Sequence, residues 1–150
     1  GWATPDRERE SEHLRRHSRK NRKQHAAFLD QMGEGSPRHR EIVGWFRTLP
    51  PALDLGGIRA VHAWWNPQYV DLVHERQGQQ ALEGELLQEA FREGTALRTA
   101  YEGLTKGCEL ELPDGAFFFD KDEHRRDAVR TQWWREDAME LLLVATAAGT

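Results

Sequence analysis

The sequence predicts an α+β fold with long amino-terminal helices, a short central strand pair and a helical insert ahead of a hairpin. Three observations carry this. Residues 8–32 hold neither proline nor glycine and are rich in Glu, Arg, Lys, Gln and Leu, a helix-forming composition. Gly56-Gly57 stands as a tight turn between two short apolar runs. Residues 109–112 alternate polar and apolar before the turn Pro113-Asp114-Gly115 and the apolar run 116–119.

In chain order, residues 1–52 read as helical, 53–76 as a strand–histidine–helix core, 77–107 as a helical insert and 108–150 as hairpin and tail, all within one partial domain. The first helix spans 8–32 and closes at Gly33, with apolar residues gathered late, at Ala26, Phe28, Leu29 and Met32. Ser36 caps a second helix, Pro37 occupies its first turn, and Pro50-Pro51 stops it. Residues 58–64 form an apolar strand that brings His62 to its carboxyl end, where open α/β sheets keep their chemistry. Asn66-Pro67 then starts a helix over 68–76. Two more helices follow, over 81–94 and, capped by Thr95, over 96–106. Residues 125–134 fit strand or helix equally. The core is expected to centre on Val61 with Ile58, Val43, Phe46 and Leu49, leaving His62 on an open rim.

Composition narrows the function. With 38% hydrophobic and 31% charged residues and a mean hydropathy of −0.81, the 150-residue chain has little apolar surface to bury. Residues 1–50 carry eleven Lys or Arg against seven Asp or Glu, and residues 51–150 ten against eighteen, so net charges of +4 and −8 give −4 overall. That balance argues against a nucleic-acid partner outside the amino-terminal third. Cys108 is the single cysteine, which rules out an intrachain disulfide and a cysteine-based zinc site and points to a reducing cytoplasm. No apolar run approaches the ~18 residues of a membrane span, residues 141–145 included.

Several side chains are candidates for chemistry. A neutral His62 imidazole at a strand end can ligate a metal, or it can be a core histidine bonded to a backbone carbonyl. His13, His17, Asn21 and His25 recur every four residues, as a metal-binding pair or a solvated face of the first helix. Lys121, Arg125, Arg126 and Arg130 can hold a phosphoryl group, or can pair with Asp120, Asp122 and Glu123. Trp64-Trp65 and Trp133-Trp134 can stack on a base, or divide between core and rim.

Gly57-Ile58-Arg59-Ala60-Val61-His62-Ala63-Trp64, preceded by Trp45-Phe46-Arg47-Thr48-Leu49-Pro50-Pro51, resembles a segment of the calcineurin-like metallophosphoesterases. That segment lies between their Gly-Asn-His-Glu and final Gly-His motifs, and the likeness is to the bacterial branch near serine/threonine-phosphatase-like and bis(5'-nucleosyl)-tetraphosphatase-like enzymes. Residues 103–107, Leu112-Pro113-Asp114-Gly115, Asp120-Lys121-Asp122 and Arg130-Thr131-Gln132-Trp133-Trp134 are similar to the same branch. The resemblance implies an αββα sandwich, a pair of divalent metals (manganese, iron or zinc) and water attack on a phosphoester, with His62 as a ligand of the second metal. The substrate would be a phosphorylated small molecule, a nucleotide or a phosphoprotein, contacted by Arg130, Lys121 and Arg126.

The family's Asp-x-His, Gly-Asp-x-x-Asp-Arg-Gly, Gly-Asn-His-Glu and terminal Gly-His are absent. The chain therefore reads as an internal segment, inactive by itself and with no catalytic residue of its own. Val61-His62-Ala63-Trp64 also departs from the glycine-containing form of the eukaryotic-type phosphatases, which weakens any carry-over of their specificity. The alternative is a non-catalytic nucleotide- or RNA-binding module, or a helical interaction module.

Overall fold

Four helices begin at a polar side chain that accepts a hydrogen bond from its own first turn. Ser18 caps α1 (Arg19–Met32), Ser36 caps α2 (Pro37–Thr48), Asn66 caps α3 (Pro67–Gln77) and Thr95 caps α5 (Ala96–Lys106). The computed structural model describes residues 2–8, 12–121 and 123–135. Among these, α4 (Gly84–Glu89) completes the helices, and six short strands follow the order β1 (Ala52–Asp54), β2 (Arg59–Val61), β3 (Glu109–Glu111), β4 (Phe118–Phe119), β5 (Arg125–Arg126) and β6 (Ala128–Arg130). The α+β class holds, and the strands form three separate antiparallel ribbons, β1–β2, β3–β6 and β4–β5. No helix among the described residues is long and apolar enough to cross a membrane. The tail over 136–150 lies outside the described residues.

Asn66 accepts from the amides of both Gln68 and Tyr69 at the start of a helix whose first position is proline. Asn66→Ala should therefore destabilise the fold by about 1 kcal/mol, read as a lower urea midpoint with an unchanged slope. An unchanged midpoint would mean that Pro67 alone fixes the start of α3.

Tertiary contacts overrode the sequence pattern in five places. The first helix begins at Arg19, not at residue 8. Ahead of it the chain folds back on itself, with Pro5 bridged to His13, Leu14 N–H bonded to the Thr4 carbonyl at 2.9 Å and Asp6 N–H to the Glu12 carbonyl at 3.0 Å. The expected helix over 81–94 shrinks to α4, because the Leu82 amide donates to the Arg47 carbonyl at the end of α2 and the Thr95 hydroxyl donates to the Glu89 and Arg92 carbonyls at the other end. The strand expected over 58–64 is limited to β2, and its partner β1 is antiparallel, so the carboxyl edge of a parallel sheet does not locate His62.

The fourth correction concerns the hairpin. Residues 109–112 do not pair with 116–119; instead β3 pairs with β6 in the register Glu109↔Arg130 and Leu110↔Val129, and β4 pairs with β5 inside that loop. Pro113 has no amide proton to continue a ladder, whereas Leu112 N–H finds the Asp127 carbonyl at 2.7 Å and Thr131 N–H the Cys108 carbonyl at 2.9 Å, which extends the β3–β6 pairing at both ends. Of the segment 125–134, undecided in sequence, residues 125–126 and 128–130 are strand.

The fifth correction moves the core. It centres on α5, whose Leu97, Ala100 and Leu104 are fully buried against Val73 of α3 and Ala90. Val61 is only partly buried at its edge, while Ile58, Phe46 and Leu49 are exposed. A two-stranded ribbon offers one thin face, whereas two helices packed side by side enclose a stripe. Gly103 permits that approach: a Cβ there would fall 2.5 Å from Cε2 of Tyr69 on α3. Burial also pushes the Tyr101 hydroxyl up to about 12, and it donates to Gln77 Oε1 between the same two helices.

Candidate functional site

His62 follows directly on β2 and is held by its neighbours rather than by its own side chain. Val61 is in register with Ala52 on β1, and the Ala63 amide donates to the Leu104 carbonyl near the end of α5 at 3.0 Å. Trp133 Nε1–H donates to the Ala63 carbonyl, and the next residue, Trp64, is buried with its ring edge-on to Tyr69 at 5.3 Å. The backbone on both sides of His62 is thereby fixed, while the imidazole is exposed. It opens on a cleft of about 490 Å³ whose walls include Leu49, Pro50, Leu53 and Tyr101.

The turn behind this corner is built from charge and glycine. Gly56 adopts φ +78°, its amide donates to Asp54 Oδ1 at 2.9 Å, and Arg59 Nε donates to Asp54 Oδ2 at 3.0 Å. These bonds, the Gly56 amide first and Arg59 second, hold the Asp54 carboxyl below its ordinary value. Arg59 also lies 5.1 Å from the Trp65 ring, which joins the β1–β2 turn to the loop after His62.

Of the three candidate phosphate-binding residues, Arg130 comes nearest this corner. A Cβ on Gly107 would meet Arg130 Cδ at 3.3 Å on one side and Ala63 Cβ at 3.6 Å on the other, so Arg130 and the residue after His62 flank one glycine. The Arg130 guanidinium is exposed and only 3.8 Å from Glu109. Arg126 is tied to Asp120 at 2.8 Å on the β4–β5 ribbon, in the ion pair offered as its plainer role. Lys121 is exposed in the adjoining turn, and no bond or ring contact among the described residues links it or Arg126 to His62. Asp122 lies outside the described residues.

The tryptophan pairs divide between core and rim. Trp64 is buried and Trp133 partly so, while Trp134 is 66% exposed. The histidine series is not a helical stripe, because His13 and His17 precede α1. Their rings stack at 4.0 Å, His17 stacks on Trp2 at 3.8 Å, and His25 meets Trp2 edge-on at 5.5 Å. Trp2 is the organising residue that sequence reasoning missed, since nothing local to it signals burial.

Among the described residues no three His, Cys, Asp or Glu side chains come together as a metal-binding group. No protein-family profile, curated protein or solved structure matches the chain.

Proposed function

We propose that this chain is a segment of a divalent-metal-dependent phosphoesterase of the calcineurin-like metallophosphoesterase type, contributing His62 as a ligand of the second metal. The observation that carries the reading is a side chain whose backbone is fixed on both sides while its ring is left exposed, as a ligand awaiting its partners must be. Arg130, beside the same corner, is the chain's candidate for a phosphoryl oxygen, with Lys121 and Arg126 more distant contributors. The substrate class is a phosphorylated small molecule, a nucleotide or a phosphoprotein. The single cysteine suits a cytoplasmic setting.

Exposed apolar ribbons add support. Leu55 and Ile58 at the β1–β2 turn are 69% and 70% exposed, and Phe117, Phe118 and Phe119 are also exposed. Isolated two-stranded ribbons with bare apolar residues are marginal in water, and the sheets of an αββα sandwich would cover them. The part of the fold proposed here is that sandwich's strand–histidine–helix corner.

The isolated chain, assayed with manganese on an aryl phosphate and a dinucleoside tetraphosphate, should give no appreciable turnover. Fused between segments that supply Gly-Asn-His-Glu upstream and Gly-His downstream, together with the earlier aspartate motifs, it should hydrolyse such esters in a chelator-sensitive manner. Chelator-sensitive turnover by the isolated chain, or a folded but inert fusion, would sink the reading. A second reading, base stacking by a non-catalytic module, is favoured by Arg125 lying 4.6 Å over the Phe117 ring beside exposed aromatics. It would show as oligonucleotide binding that weakens steeply with salt.

A further inference from the structure

The amino-terminal arm roofs a cavity of about 610 Å³ between α1, α2 and α4. Phe28, Leu29, Val43, Phe46, Leu82 and Phe91 supply apolar walls, and Trp2 closes one side. Among the described residues, the ionisable groups on the lining are Arg15, Arg47, His25 and His39, with no aspartate or glutamate, although the protein as a whole is acidic. Both arginines spend their hydrogen bonds on neutral partners. Arg15 donates to Asn21 at 3.2 Å and Gln24 at 2.7 Å, and Arg47 donates to the Thr4 hydroxyl at 2.9 Å.

Arg15 Nε and His25 Nε2 are sealed from solvent without a hydrogen-bond partner. Burial, and then the Arg15 guanidinium, hold His25 below its ordinary value. Roomy apolar walls with a few convergent polar groups are the usual make-up of a small-molecule site.

We propose that this cavity binds an amphiphilic organic anion, with its apolar body among the phenylalanines and leucines and its carboxylate or sulfonate between Arg15 and Arg47. The arm's own anchors fit a site that closes over its occupant. Trp2 Nε1 donates to Glu34 at 2.9 Å, His17 Nε2 lies 2.8 Å from the Trp2 carbonyl, and Gln88 Nε2 donates to the Pro5 carbonyl at 3.0 Å.

The test titrates the full chain with the fluorescent probe anilinonaphthalene sulfonate and displaces it with decanoate, decanol or decylammonium. One saturable site is expected, cleared by decanoate at concentrations at least about tenfold lower than decanol, as one charge-assisted hydrogen bond implies. Decylammonium should be the poorest competitor. Val43→Trp should fill the cavity and abolish saturable binding while circular dichroism and the unfolding midpoint are kept. The double variant Arg15→Met with Arg47→Met should keep decanol displacement and lose the preference for decanoate. If Val43→Trp does not fold, the double variant decides alone. Equal displacement by decanol and decanoate in the wild type, or an unchanged preference in the double variant, would overturn the proposal. So would unaltered probe binding in folded Val43→Trp, which would assign the probe to the exposed phenylalanines.

Discussion

Leu104→Ala should destabilise the protein by about 2 to 5 kcal/mol, the cost of emptying a fully buried leucine site whose surroundings relax only in part. Leu104 is completely buried, and its carbonyl accepts the Ala63 amide, so the core of α5 and the His62 corner share one residue. Against the 5 to 15 kcal/mol typical of whole domains, such a loss takes a large share. Val61→Ala, at a partly buried edge position, should cost about 1 kcal/mol. Urea titrations of the two variants decide between the centres. A Val61 loss equal to or larger than that of Leu104 would return the core to the β1–β2 ribbon.

What the sequence revealed and concealed follows the range of the interactions. The starts of α2, α3 and α5 were legible because a cap, joined by a proline in α2 and α3, acts within one turn, and Ser36, Asn66 and Thr95 each bond inside their own helix. The apolar stripe of α5 was legible too, but its rank as the centre of the core was not, because that depends on Gly103 letting Tyr69 come close. Residues 12–18 have good helix propensity, yet Trp2 captures His17 and the chain turns back, a contact across 15 residues that propensity does not see. The nested pairing of β3 with β6 fails in the same way, since Pro113-Asp114-Gly115 looks like a hairpin turn until Leu112 meets Asp127.

The candidate site divides along the same line. The exposure of His62 could be anticipated from the strand end that carries it. The approach of Arg130 to Gly107 and Ala63 could not, because it needs the β3–β6 register to be known. Least legible of all was the cavity under the arm, whose Trp2, Arg15, Arg47 and Phe91 come from four separate stretches of chain.

In the completed fusion, His62→Ala should lower turnover by about two orders of magnitude or more while leaving the fold intact, as removal of one ligand from a shared-metal site does. The structural half of this expectation rests on the exposed ring. The corner is held by the Val61–Ala52 register, the Ala63 amide on Leu104 and Trp133 on the Ala63 carbonyl, none of which uses the imidazole. The unfolding midpoint of the isolated chain should therefore move little in His62→Ala, in contrast to Leu104→Ala. Arg130→Ala in the fusion should act mainly on KM, because an exposed guanidinium beside the corner contributes charge to binding rather than a ligand. His13→Ala and His17→Ala loosen the stack on Trp2, on the arm side of the molecule, and should leave turnover nearly intact. A fusion that turns over equally well without His62, or one that fails only when His13 or His17 is changed, would show that the functional centre lies with the Trp2 stack and not at the end of β2.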